Sequence, residues 1–165
     1  ILLNLIINQT TLQNCGPSEG TKMSLGNVFE GDLASLIFNG TAIANLADNA
    51  ATAPLTDLYI SLHTADPGEA GNQSTSEATY TSYARVAVAR TSGGWSLAGG
   101  AVSNAVAVAF AKATGGSETL THASIGTAAS GTGKIVSSGA LTTSVVVSSG
   151  VQPNFPIGDL TLTFD

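Results

Sequence analysis

Three stretches of this chain hold residue types that could do chemistry. His63, Asp66 and Glu69 are spaced His-x-x-Asp-x-x-Glu, and all three types ligate metals. No further ligand follows at a recognisable spacing. Pro67-Gly68 within the run accounts for it as a tight turn, since Pro sets φ, Gly permits positive φ and Asp bonds its own backbone. The expectation is therefore no metal site, with His63 a strand-end residue on a polar face. Ser130-Gly131-Thr132-Gly133-Lys134 has the look of a phosphate loop. The first required Gly is Ala128, however, and Ile135 stands where Ser or Thr should follow the Lys. A strand follows rather than a helix, so the stretch is expected to be a hairpin turn. There is no G-x-S-x-G elbow, the single cysteine is Cys15, and the acidic residues are scattered. No catalytic residue and no cofactor is expected, and His122, inside a predicted strand, is expected to be a hydrogen-bonded or interface histidine.

The elements that would position such residues are mostly strands. Leu58, Ile60 and Leu62 alternate with Tyr59, Ser61 and His63, the period-2 pattern of a half-buried strand. A polar loop then runs through Thr79. A second strand is expected from Tyr83, with Ala84, Val86 and Val88 on one face and Arg85 on the other. A guanidinium in that setting needs a partner. Asp66, Glu69 and Glu77 in the preceding loop are the candidates, and an outward-facing Arg85 is the alternative.

Downstream, Gly-rich turns separate short apolar stretches. Trp95-Ser96-Leu97 follows Gly93-Gly94, and Ala101 to Phe110 is read as one strand with Val102, Val106, Val108 and Phe110 on one face. Later strands are expected near 119–125, 134–141, 142–148 and 160–164. Even spacing of this kind predicts a mainly β protein, an antiparallel β-sandwich or jelly-roll-like fold. One N-terminal helix is expected from Asn27 to Asn39. Its stripe is Phe29, Leu33, Leu36 and Ile37, Asn27 and Glu30 suit a capping box, and Asn39-Gly40 ends it. Thr41 to Ala47 is read as a further short helical turn.

The 165 residues suit a single domain with a real core. Only 10 % are charged and the net charge is −6, which argues against nucleic acid and anionic membranes as partners. One cysteine precludes an internal disulfide and fits assembly in a reducing cytoplasm. Residues 1–22 differ from the rest. Their apolar run, Ile1 to Ile7, falls short of the ~20 residues that span a bilayer and lacks signal-peptide flanks. Glu19-Gly20 can be encoded by a purine-rich ribosome-binding sequence ahead of Met23. The expectation is that 23–165 is the domain, and that 1–22 is either an open-reading-frame overcall or an arm docking on a neighbouring subunit.

LHTADPGEAG (62–71), the Glu77-Ala78-Thr79-Tyr80 run, SYARVAV (82–88) and the closing GALTTSVVVSSG…PIGDLTLTFD resemble a family of small tailed-phage virion structural proteins, tail-fibre-like or head-decoration-like. The resemblance covers about Met23 to Asp165. It implies a non-enzymatic protein of the virion, assembled in the host bacterial cytoplasm, whose partners are phage capsid or tail proteins and further copies of itself. Small size and the absence of fibrous repeats or heptads tilt the reading to a head decoration (cement) protein. The alternatives are a tail-fibre-associated protein and a receptor- or carbohydrate-binding β-sandwich module, which would need Tyr59, Tyr80, Tyr83 or Trp95 as a platform. The long loop is the expected contact, through Asp66, Glu69, Asn72, Glu77 and Tyr80. Arg85 is a structural ion pair or interface residue. Trp95 is either an aromatic anchor for a partner or, by a slight preference, a core residue.

Overall fold

The computed structural model describes residues 22–29, 31–33, 42–47, 55–98 and 101–163. Among them ten strands form in chain order: β1 (Lys22–Leu25), β2 (Asp57–His63), β3 (Val86–Ala89), β4 (Trp95–Ala98), β5 (Ala101–Asn104), β6 (Val108–Ala109), β7 (Glu118–Gly126), β8 (Ile135–Val147), β9 (Asn154–Phe155) and β10 (Thr161–Thr163). Eight lie in one sheet ordered β3-β2-β7-β8-β1-β10-β5-β4, while β6 and β9 pair separately. The protein is mainly β with antiparallel pairing, save for β1, which runs parallel to β10.

β1 joins the two halves of the sheet. Lys22 and Met23 pair with Thr161 and Leu162 of β10, and then Ser24 and Leu25 pair with Ser138 and Ser137 of β8. Both halves feed one apolar cluster. Ile60 and Leu62 of β2, Val88 of β3, Leu120 and Ile125 of β7 meet Trp95 of β4 and Leu162 of β10, with Tyr80 and Phe110 from connections. Each fully buried large side chain of this kind stabilises the fold by about 1.5–3 kcal/mol.

Residues 27–29 and 31–33 are helical, with Phe29 and Leu33 half-buried. The rest of the expected helix, including Leu36 and Ile37, lies outside the described residues, as does the segment 1–21. The helical turn expected at 41–47 is instead a tight turn closed by paired backbone bonds between Ile43 and Ala47, with Asn45 at φ 65°.

Three strand readings change. The stretches read as separate strands near 134–141 and 142–148 form the single long β8. The strand expected from Tyr83 begins at Val86, because Tyr83 and Arg85 are drawn into side-chain bonds described below. The strand expected over 101–110 breaks after Asn104, whose side chain captures the Val106 carbonyl, and Val106 turns outward. The 127–134 stretch, the false phosphate loop, links antiparallel β7 to β8.

Candidate functional site

The most elaborate chemistry of the described residues lies on the face of β2 expected to meet water. Ser61 and His63 are fully buried there. The loop after His63 returns over them instead of projecting. Asp66 Oδ1 accepts the Gly68 N–H, and Asn72 Oδ1 accepts the Ser74 N–H, so the loop is a chain of tight turns. Backbone bonds from Thr64 to Ser76 and from Ala78 to Leu62 lay its return limb alongside β2.

Gln73, also fully buried, is the loop's plug. Its Nε2 donates to the Tyr59 carbonyl (3.1 Å) and to Ser61 Oγ (3.3 Å), and its Oε1 accepts the Ala128 N–H (3.0 Å). Ser61 Oγ lies 2.7 Å from Ser124 Oγ on the neighbouring β7, and Ser124 Oγ lies 2.9 Å from His63 Nε2. His63 Nδ1 lies 2.8 Å from the Thr75 carbonyl. These distances dictate the proton positions. A carbonyl only accepts, so Nδ1 carries the proton. Burial holds the imidazole below its usual pKa, the Thr75 bond and the Glu77 charge opposing this only in part. The ring is therefore neutral and Nε2 accepts. Ser124 must then donate to His63, Ser61 to Ser124, and Gln73 to Ser61. The result is a one-way chain of hydrogen bonds tying β2, β7 and the loop together.

A serine bonded to a histidine is the pairing of a nucleophile and its base. Here both are buried to 0 % exposure, and the group orienting the histidine is a backbone carbonyl rather than a carboxylate. The pair holds the fold and offers no approach to an acyl group. Both ring nitrogens of His63 are engaged, and among the described residues no group of three or more His, Cys, Asp or Glu converges.

This network makes the protein acid-sensitive in a defined window. The folded pKa of His63 is lowered relative to the ordinary 6.5, so the unfolded chain takes up the proton first. The contribution is complete above about 6.5 and is lost as pH falls toward the folded pKa, at no more than about 1.4 kcal/mol per pH unit for one proton. Denaturation midpoints measured from pH 7.5 downward should fall, and His63→Gln should flatten that slope. An equal slope in the variant would assign it to other groups.

Beside this chain, Arg85 is buried and clamps the same loop. Its Nε and Nη2 donate to the two Glu77 oxygens at 2.6 and 2.7 Å, Nη1 to the Ala128 carbonyl at 2.9 Å, and Nη2 also to the Gly131 carbonyl at 2.7 Å. Of the three carboxylates the loop offers, Glu77 is the one that meets Arg85. The outward-facing alternative for Arg85 does not occur, because the loop and the 127–134 turn close over it. Tyr83 completes the group. Its hydroxyl accepts the Leu62 N–H and donates to Glu77, and burial together with that carboxylate holds the phenol protonated far above its ordinary range.

The residues expected to face a partner are thus divided. Asp66 and Glu69 are exposed. Asn72 is half-buried and caps its own turn, and Glu77 is committed to Arg85. Tyr80 is only 3 % exposed, donates to the Ala111 carbonyl and presents no surface. Burial raises its pKa, with the Glu118 charge adding to the effect. His122 is half-buried and bonds Thr121. Trp95 is buried, lines a cavity of about 410 Å³, and its Nε1 finds no hydrogen-bond partner. Of the rings that a glycan platform would need, Tyr80 and Trp95 are buried and Tyr59 and Tyr83 half-buried. Sequence reasoning missed Gln73, Ser61, Ser124 and Asn104. The one available signal was the pair Ser61 and His63 on one strand face.

The model of one protein family, described as podophage GP4 fiber I protein gp80, matches residues 32–163. No curated protein matches the chain.

Proposed function

The chain belongs to the podophage GP4 fiber I protein gp80 family, and from that premise we propose that it is a non-enzymatic, tail-fibre-associated structural protein of a podophage virion. That it is a phage structural protein rests on the family. Its place on the tail fibre is supported by the family's description, and head decoration, which small size and missing repeats favoured, has no support there. The match over residues 32–163, which spans the whole clamped loop and most of the sheet, is the observation that carries this reading.

The architecture suits the role. A fibre component works by holding shape while its neighbours pull on it, and many copies acting together multiply weak contacts. The clamped loop closes over β2 and is tied to Ala128, where a catalytic reading would need an open cleft around Ser124 and His63. A glycan-binding role would need an exposed aromatic platform, and the four rings suited to one are at least half-buried.

The test is copy number in purified virions, by quantitative mass spectrometry against the major capsid protein. A few to a few dozen copies per particle is the expected result. Hundreds would return the protein to the capsid surface, and absence from the particle would overturn the structural reading.

A further inference from the structure

The loop over residues 64–76 is folded on itself. Gly68 and Ser74 donate their N–H groups to Asp66 Oδ1 and Asn72 Oδ1, and Gly71 and Thr75 donate theirs to the carbonyls of Gly68 and Asn72. A bridge between His63 and Glu77 closes its base, and Arg85 holds Glu77 there. At Ser76, just inside that base, the backbone turns through φ 52°, a conformation seldom taken by residues other than Gly, Asn and Asp. Beyond the base, Gln73 anchors the loop. Its N–H donates to the Gly133 carbonyl, and its side chain fills a slot in which a Cβ on Gly126 or Gly133 would collide with the amide.

The hydrogen bonds under this loop run in one direction only, because backbone groups fix both ends. At one end the Thr75 carbonyl requires a proton on His63 Nδ1. At the other, the Tyr59 carbonyl and the Ala128 N–H fix which way the Gln73 amide faces, since one can only accept and the other only donate. A second proton on His63 turns Nε2 into a donor. Ser124 must then accept from His63 and donate to Ser61. Ser61 Oγ would face two donors, Ser124 and Gln73, and its own proton would have no acceptor among its partners. Turning the Gln73 amide over sets Oε1 against the Tyr59 carbonyl and Nε2 against the Ala128 N–H. A buried hydroxyl stranded in this way is costly. Ser61 and Ser124 are directly paired in the β2–β7 ladder and cannot separate without breaking it. The loop carries the member that can leave, Gln73.

We propose that residues 64–76 are an acid-released flap, latched by Gln73 and freed by a proton on His63 while the sheet beneath stays folded. The charged and titratable groups facing His63 are Glu77 on the return limb, Arg85 ahead of β3 and His122 opposite it on β7. Glu77 favours the protonated ring, whereas Arg85 and His122 oppose it, and Glu77 and Arg85 are paired with each other. Burial is the largest influence and keeps the ring neutral at pH 7. Release opens the Gln73 slot to water and displaces Asp66 and Glu69, both exposed on the flap. The inference assigns the acid response to one loop and does not depend on the fibre assignment.

Amide exchange of the full chain, followed by NMR from about pH 7.5 to about pH 5 and expressed as protection factors, tests it. Protection of the Gln73 and Ala128 amides should fall by about tenfold per pH unit between the ordinary and the folded pKa of His63. The Ala78 amide, bonded to Leu62 at the base, and those of the β7–β8 ladder should keep theirs. His63→Gln should make the flap's protection independent of pH, and His122→Gln should leave the fall in place. Gln73→Leu should lose the flap's protection already at neutral pH. Should His63→Gln fail to fold, the His63 ring resonances are titrated in the native chain, and their midpoint must coincide with the loss of protection. Loss of flap and ladder protection together, protection that does not change with pH, a fall that persists in His63→Gln or disappears in His122→Gln, a flap still protected in Gln73→Leu, or a ring midpoint away from the loss would each overturn the proposal.

Discussion

Replacing Arg85 with alanine lowers the stability of this protein by about 3–5 kcal/mol, the range for removing one partner of a buried ion pair. The Arg85 side chain is 2 % exposed and that of Glu77 18 %, so the abandoned carboxylate stays largely inside. It is not the only group left behind. The Ala128 carbonyl loses its Arg85 donor, the Gly131 carbonyl keeps the Gly133 N–H alone, and among the described residues Tyr83 remains as the side-chain donor to Glu77. For a chain of this length the loss corresponds to roughly 6–20 °C in melting temperature. Thermal and urea denaturation measure it, and amide exchange should show the loop between His63 and Tyr83 losing protection first. The double replacement Arg85→Met with Glu77→Leu should cost less than Arg85→Ala alone, because no charge is then stranded. A single-variant cost below about 1 kcal/mol would mean that the pair behaves like a surface one.

Phe110→Ala is expected to have an effect of the same size, about 3–5 kcal/mol, for a different reason. Phe110 is 1 % exposed and stands inside a column of rings. Tyr80 meets Tyr83 edge-on at 5.3 Å, Tyr83 stacks on Phe110 at 6.1 Å, and Phe155 meets Phe110 edge-on at 6.2 Å. Its backbone cannot retreat to fill the gap, since its N–H is bonded to Pro153 and its carbonyl to Gln152. The cavity therefore stays open, and its cost adds to the lost transfer energy. Phe155→Leu, at the half-buried end of the column, should cost markedly less by the same denaturation assay. Equal losses would show that the column is not the unit of packing.

These two results bear on different links between sequence and structure. Phe110 is legible as an interior residue from its position in an apolar stretch that ends at Lys112. Its neighbour in that reading, Val106, is 41 % exposed, because the strand breaks after Asn104, before Val106 is reached. An asparagine in a predicted strand gives no sign of whether it will lie in the ladder or leave it. That depends on Pro156 and Leu160, which lie 52 and 56 residues further along.

Legible from the residues alone are the mainly β class, the strand at Leu58–His63, the turn at Asp66–Gly68, the turn character of 130–134 and the need of Arg85 for a partner. All of these are local. Period-2 alternation, Gly and Pro punctuation and the cost of an unpaired guanidinium are felt within a few residues. Long-range packing, by contrast, makes the polar face of β2 an interior one, pairs Glu77 rather than Asp66 or Glu69 with Arg85, and turns Tyr80 inward. Alternation states which side of a strand a residue occupies and is silent on what later comes to cover that side. The cover is a loop whose return path is set by Gln73 reaching Ala128, 55 residues away, and by Ser61 meeting Ser124, 63 residues away. Hydrogen bonds between such distant residues form only once the sheet has brought β2 and β7 together.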